Sequence, residues 1–215
     1  MIVLGLTGSI GMGKSTAAAT LRRLGVPLYD ADASVHRLLA PGGAAVAAVE
    51  AAFPGVRDAR GGIDRQRLGG RVFSDPAARR RLEAILHPIV RREERRVVSR
   101  ARARRAPVVV LDIPLLFETG SDSRCDRVLV VSAPARLQRE RVMRRPGMTT
   151  ERFAGILRAQ MPDREKRRRA DFVVLTGLSR ARTLRRLKQI LRILRQDAGR
   201  SASPKRRGRG RLLKR

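Results

Sequence analysis

The chain is short of cysteine, aromatic residues and acids, and each shortage narrows what it can be. Cys125 stands alone, which excludes an intramolecular disulfide and fits a reducing compartment such as the cytoplasm. There is no Trp, there is one Tyr, and aromatics make up 3% of the residues. Stacking platforms for single-stranded nucleic acid are therefore scarce. No apolar run approaches the ~20 residues that span a bilayer, so no membrane span is expected. The amino terminus lacks a basic region and its apolar run is too short for a signal peptide. Acids number 19 against 49 Lys and Arg, a net charge of +30. Such a charge raises nucleic acid as a partner, but the arginines are spread along nearly every helical segment, which reads as a basic composition as much as a focused patch. A chain of 215 residues suits one domain, with room for an insertion and a sizeable core. Nothing in the sequence sets the number of subunits.

What is present begins at residue 2. Ile2-Val3-Leu4-Gly5-Leu6-Thr7 reads as a buried strand, and Gly8-Ser9-Ile10-Gly11-Met12-Gly13-Lys14-Ser15-Thr16 fits the phosphate-loop pattern G-x-x-x-x-G-K-[ST]. Gly8, Gly11 and Gly13 allow positive φ, so that successive N–H groups from Gly11 to Thr16 can face phosphate oxygens. Lys14 can reach the β- and γ-phosphates of ATP, and the Ser15 hydroxyl can ligate Mg²⁺. A helix starting near Lys14 turns the positive end of its dipole to the nucleotide.

That helix is expected to run to Leu24 and stop at Gly25. A second strand, Val26 to Tyr29, ends in Asp30-Ala31-Asp32. In a parallel sheet this places both carboxylates on the phosphate-loop side. Asp32 can cap the following helix or take the proton of an acceptor hydroxyl, and Asp30 is the weaker candidate base. His36 suits packing or surface better than ligation. Residues from about 40 to 105 show no strand pattern and form a helical insertion. Within it a helix from Ala44 to Phe53, another through Phe73 capped by Asp64, and two more separated at His87-Pro88 are expected. Such a block between strands suits binding of the acceptor. Arg79 to Arg81 and Arg91 to Arg96 read mostly as solvated faces.

Val108 to Leu111, ending in Asp112, is the plainest buried strand. Asp112 can hold Mg²⁺, directly or through water, or bond local backbone. Arg127 to Val131 is a fourth strand and Phe172 to Leu175 a fifth. Between them, residues from about 134 to 160 carry Arg136, Arg139, Arg141, Arg144 and Arg145 around a Pro146-Gly147 tip. Two Arg-rich helices there make a lid that can close over a triphosphate. Ser179 can cap a last helix. The kinase domain is expected to end near residue 197. From 198 to 215 there are eight Lys or Arg and no acid, a composition typical of disorder and of nonspecific polyanion contact.

The ordered set Leu6-Thr-Gly-Ser-Ile-Gly-Met-Gly-Lys-Ser-Thr16, Asp30-Ala-Asp32, Leu86-His-Pro88, Asp112-Ile-Pro-Leu-Leu-Phe-Glu118, the Arg141 region, Ala159-Gln160 and Ala170-Asp171 resembles the dephospho-coenzyme A kinase family, over roughly residues 2 to 196. The resemblance implies an α/β, three-layer phosphate-loop kinase fold with a five-stranded parallel sheet, a helical acceptor-binding insertion and an Arg-rich lid. It implies transfer of phosphate from ATP, with Mg²⁺, to the ribose 3′-hydroxyl of dephospho-CoA, giving CoA and ADP. Asp32 would be the base, Gly11 to Thr16 the ATP cradle, and Arg141 a lid contact to the nucleotide. One position departs from the family pattern: Leu175-Thr176-Gly177 stands where an Asn-x-Gly-like turn is usual. Another small-molecule kinase, or a nucleic-acid-binding NTPase, are the alternatives that the motifs and the charge leave open.

Overall fold

The computed structural model describes residues 1–73 and 75–200. Five parallel strands form one sheet in the order β2-β3-β1-β4-β5. They are β1 (Ile2–Thr7), β2 (Leu28–Asp30), β3 (Val108–Asp112), β4 (Arg127–Ser132) and β5 (Phe172–Leu175). β1 is central because it is apolar on both faces: Leu4 and Leu6 are fully buried, and β3 and β4 flank it. Register places Leu6 and Asp30 beside Asp112, so the loops leaving β1, β2 and β3 emerge along one edge of the sheet.

One face of the sheet is covered by α1 (Lys14–Arg23) and α9 (Arg180–Arg200), whose Ala17, Leu21, Leu187, Ile190 and Leu194 pack on Leu4, Val110, Leu129 and Val174. The other face meets Val90, Val97 and Val98 of α5 (Pro76–Ala103), with Leu116 and Phe117 of the loop after β3. This gives the expected three layers. The chain between β2 and β3 is helical apart from one isolated bridge: α2 (Ala31–Leu39), α3 (Val46–Ala52), α4 (Arg65–Val72) and α5. Its own core is built from Leu38, Val49, Phe53, Val56, Ile63 and Leu68. Asp64 caps α4 and Asp75 caps α5, each through two backbone N–H groups.

Three expectations change. α3 is shorter than Ala44 to Phe53, because Gly43 to Ala45 form the turn that enters it. The expected break at His87-Pro88 does not occur, and α5 runs 28 residues through Pro88. Pro88 and Ala84 both lie on the exposed side, where water can serve the carbonyl that the missing N–H releases. Leu82, Ile85, Leu86, Ile89 and Val90 hold the opposite side on both halves of the helix. Finally, α9 continues to Arg200, three residues past the expected domain end. Residues 201–215, most of the expected basic tail, lie outside the described residues. Among the described residues no helix is long and apolar enough to cross a membrane.

Replacing Pro88 with Ala restores a backbone donor at an exposed position of a continuous helix. Pro88→Ala is expected to raise unfolding stability by about 1–3 kcal/mol. Urea denaturation followed by far-UV circular dichroism measures it, and a drop in stability would show that the proline is required by the helix path.

Candidate active site

Gly11 and Gly13 take φ of +75° and +88°, and Gly13 forms the left-handed entry to α1. Gly8 does not have positive φ; it is required for a different reason. A Cβ there would lie 2.5 Å from Val131 Cγ2 and 2.7 Å from the Val131 carbonyl oxygen, so the loop leaves the sheet in direct contact with β4.

The loop is shaped largely from outside. Ile10 N–H donates to Gln160 Oε1 at 3.0 Å, and the Ile10 carbonyl accepts from Gln138 Nε2 at 2.8 Å. The Met12 carbonyl accepts from the Thr176 hydroxyl at 2.7 Å. The Arg141 guanidinium reaches the Gly11 carbonyl at 3.3 Å, Thr176 Oγ1 at 3.1 Å and the Thr176 carbonyl at 2.8 Å. Gln138 and Arg141 stand on α6 (Ala135–Met143), and Gln160 follows α7 (Thr150–Ala159), the two helices of the expected lid. Thr176 thus supplies a bond to the phosphate loop. Of the other lid arginines, Arg139 reaches Thr150 and Arg144 pairs with Glu140, both within the lid.

Lys14 Nζ lies 2.8 Å from Asp112 Oδ1, and the Asp112 side chain is only 3% exposed. Burial pushes the Asp112 carboxyl above the ordinary aspartate range, although the Lys14 charge opposes that rise. Asp112 is therefore engaged by Lys14 at the end of β3. Ser15 and Thr16, by contrast, are exposed at the start of α1.

The cap of α2, which the spacing allowed to Asp32, falls to Asp30 instead. Asp30 caps α2, accepting from Ala33 N–H at 3.0 Å. Asp32 sits in the first turn of α2, exposed, with no hydrogen bond or ion pair to another described residue. Both carboxylates are close enough to raise the Asp112 pKa through charge repulsion. One edge of the sheet thus gathers the phosphate loop, Lys14, Asp112 and a free carboxylate.

Residues 2–179 match the family model for dephospho-CoA kinase. The chain belongs to the dephospho-CoA kinase family. It is 66% identical to the dephospho-CoA kinase of Paramagnetospirillum magneticum over 78% of each chain. It is 57% identical to that of Rhodospirillum rubrum over 93% of this chain and 94% of the relative. Among solved structures it is similar to a Thermus thermophilus protein, with a TM-score of 0.79 and 41% identity over 90% of this chain and 97% of that one. The dephospho-CoA kinase from Campylobacter jejuni shares the fold, with a TM-score of 0.63 at 24% identity over 89% of this chain and 96% of that one.

In this dephospho-CoA kinase family member the segment after α7 is tied down by a buried ion pair that residue patterns did not reveal. Lys166, on α8 (Asp163–Arg169), is wholly buried, and its Nζ lies 2.7 Å from Glu118 Oε1. The same oxygen accepts from Met161 N–H at 2.8 Å. Every residue of α8 is charged, so no apolar periodicity marks it as a helix, and nothing marks the one lysine among four arginines as buried. Burial alone would push the Glu118 carboxyl up, but the Lys166 ammonium and backbone N–H groups outweigh it and hold it below the ordinary glutamate range. The stabilisation is therefore complete above that range and is lost as pH falls through the lowered folded value.

Glu118→Gln leaves a buried ammonium without its countercharge and is expected to cost about 3 kcal/mol at neutral pH. The difference from wild type should shrink as pH falls below ~4, where the wild-type carboxylate is itself protonated. Paired denaturation curves across that interval check the sign, and a difference that grew in acid would contradict it.

Proposed function

We propose that the protein is a cytoplasmic kinase that transfers the γ-phosphate of ATP to the ribose 3′-hydroxyl of dephospho-CoA, giving CoA and ADP. Membership of the family supplies the substrates. The observation that carries the site reading is the free Asp32 carboxylate at the sheet edge that holds the phosphate loop and Lys14.

The residues divide the work as follows. Backbone N–H groups from Gly11 to Thr16, at the start of α1, hold the ATP phosphates. The Lys14 ammonium has three donors and spends one on Asp112, so two remain for phosphate oxygens. Asp112 thereby fixes where the Lys14 charge sits. Asp32 accepts the 3′-hydroxyl proton as the oxygen approaches phosphorus. The insertion, residues about 40 to 105, holds the acceptor, and residues about 134 to 160 act as the lid. Arg141 joins the lid to the phosphate loop and to the turn after β5, next to the bound nucleotide.

The donor set suits Mg²⁺: an exposed Ser15 hydroxyl and few protein ligands match an ion that keeps water and phosphate oxygens around it. Ser15 would hold it, and Asp112, already engaged by Lys14, would act through water. When bound, the ion would neutralise charge on the β- and γ-phosphate oxygens.

Purified protein with ATP, Mg²⁺ and dephospho-CoA is expected to form CoA. Folded, ATP-binding protein that forms none would instead point to another acceptor alcohol. Within that assay, Lys14→Ala should weaken both ATP affinity and turnover, since the ammonium meets ATP in ground and transition states. Asp32→Asn should leave ATP affinity and melting temperature near wild type, because Asp30 supplies the helix cap, while lowering turnover roughly 10²–10⁴-fold. Near-normal turnover of Asp32→Asn would remove it as the base.

A further inference from the structure

The run Arg91-Arg92-Glu93-Glu94-Arg95-Arg96 looks like a solvated face of α5, yet both of its acids turn inward. Glu94 is buried and accepts from Arg124 Nη1 at 2.8 Å. Glu93 faces α2. The fully buried Ser34 donates its hydroxyl to Glu93 Oε2, and Arg37 Nη2 lies 3.3 Å from the same oxygen. One turn before Glu93, the Val90 carbonyl accepts the Tyr29 hydroxyl at 3.1 Å. One stretch of α5 therefore grips the chain on both sides of Asp32: the end of β2 through Tyr29, and α2 through Ser34.

Tyr29 is buried in the core beside Leu111, whereas the Ser34 side of the grip lies in a turn with little apolar bulk. Leu38 and Leu39 anchor the far end of α2 in the insertion core. The first turn offers only Ala31, Asp32, Ala33 and Ser34. The Asp32 side chain makes no bond of its own to a described residue, so its position is set by the backbone that carries it. A base must lie within hydrogen-bond reach of the proton it takes, and a displacement of ~1 Å can cost about 10²-fold in rate.

We propose that Glu93 is a positioning residue for Asp32, holding the first turn of α2 through the Ser34 hydroxyl. The inference rests on the reading of Asp32 as the base. A double-mutant cycle tests it, with turnover, ATP affinity and melting temperature measured on each variant. Glu93→Ala is expected to lower turnover about 10–100-fold while ATP affinity stays within about twofold of wild type. Glu93→Gln, whose amide oxygen still accepts from Ser34, should restore most of that turnover. In an Asp32→Asn background, Glu93→Ala should cost less than about twofold, since the group being positioned is already disabled. Loss by the same factor in both backgrounds, loss of ATP affinity in step with turnover, or wild-type turnover in Glu93→Ala would each overturn the proposal. If Glu93→Ala does not fold, Ser34→Ala takes its place in the cycle. Near-normal turnover in Asp32→Asn alone would remove the base and this inference together. An impaired Asp32→Asn that Glu93→Ala impairs further by its full factor would remove only the inference.

Discussion

A phosphate loop must keep its N–H groups free for the ligand, so it cannot use them to hold its own shape. Here the problem is solved largely by bonds from elsewhere. The Ile10 carbonyl, the Gly11 carbonyl, the Met12 carbonyl and the Ile10 N–H are taken by Gln138, Arg141, Thr176 and Gln160. Those partners come from α6, from the residue that follows α7 and from the turn after β5. Nucleotide affinity in this fold is therefore not a property of the loop sequence alone. Displacing α6 or the end of α7 would remove bonds that set the direction of the loop's peptide planes.

Acids are outnumbered by bases in this chain, and many of them have defined structural tasks. Asp30, Asp64 and Asp75 cap helices. Asp126 accepts from Val3 N–H and Asp171 from Val128 N–H, tying down the starts of β1 and β4. Asp112, Glu94 and Glu118 each meet a cation in a buried or half-buried place. The arginines are mostly solvated. A change of charge at an acid is on average more consequential here than one at an arginine, the reverse of what a net charge of +30 suggests at first sight.

Features set by local chemistry were legible in the residues. The five strands are short apolar runs, the phosphate loop has fixed spacing, and Asp64 stands where a cap belongs. The division of labour between Asp30 and Asp32 was not legible, since either carboxylate lies near the start of α2 and only the backbone path decides which one meets Ala33 N–H. The continuity of α5 through Pro88 depended on apolar contacts on both sides of the proline, which a local rule for proline does not contain. α8 was invisible because its seven residues are all charged and its one buried member is a lysine. The clamps from Gln138, Thr176 and Gln160 join residues more than a hundred positions apart, and so leave no spacing to read.

That long separation has a consequence in time. β1 and its loop are made well before the strands that β1 pairs with, since β3 and β4 follow about a hundred residues later. The last clamp, Thr176, is made 160 residues after Thr16. At the usual rates of synthesis, a nascent chain carries the complete phosphate-binding motif for roughly 8–30 s before the residue that completes its shape exists. During that interval an apolar strand made for the centre of a sheet has no neighbour, and the motif has the right letters without the geometry to hold a nucleotide. A nucleotide can thus stabilise this loop only once the chain has been made past Thr176, so the early chain folds without help from its own ligand.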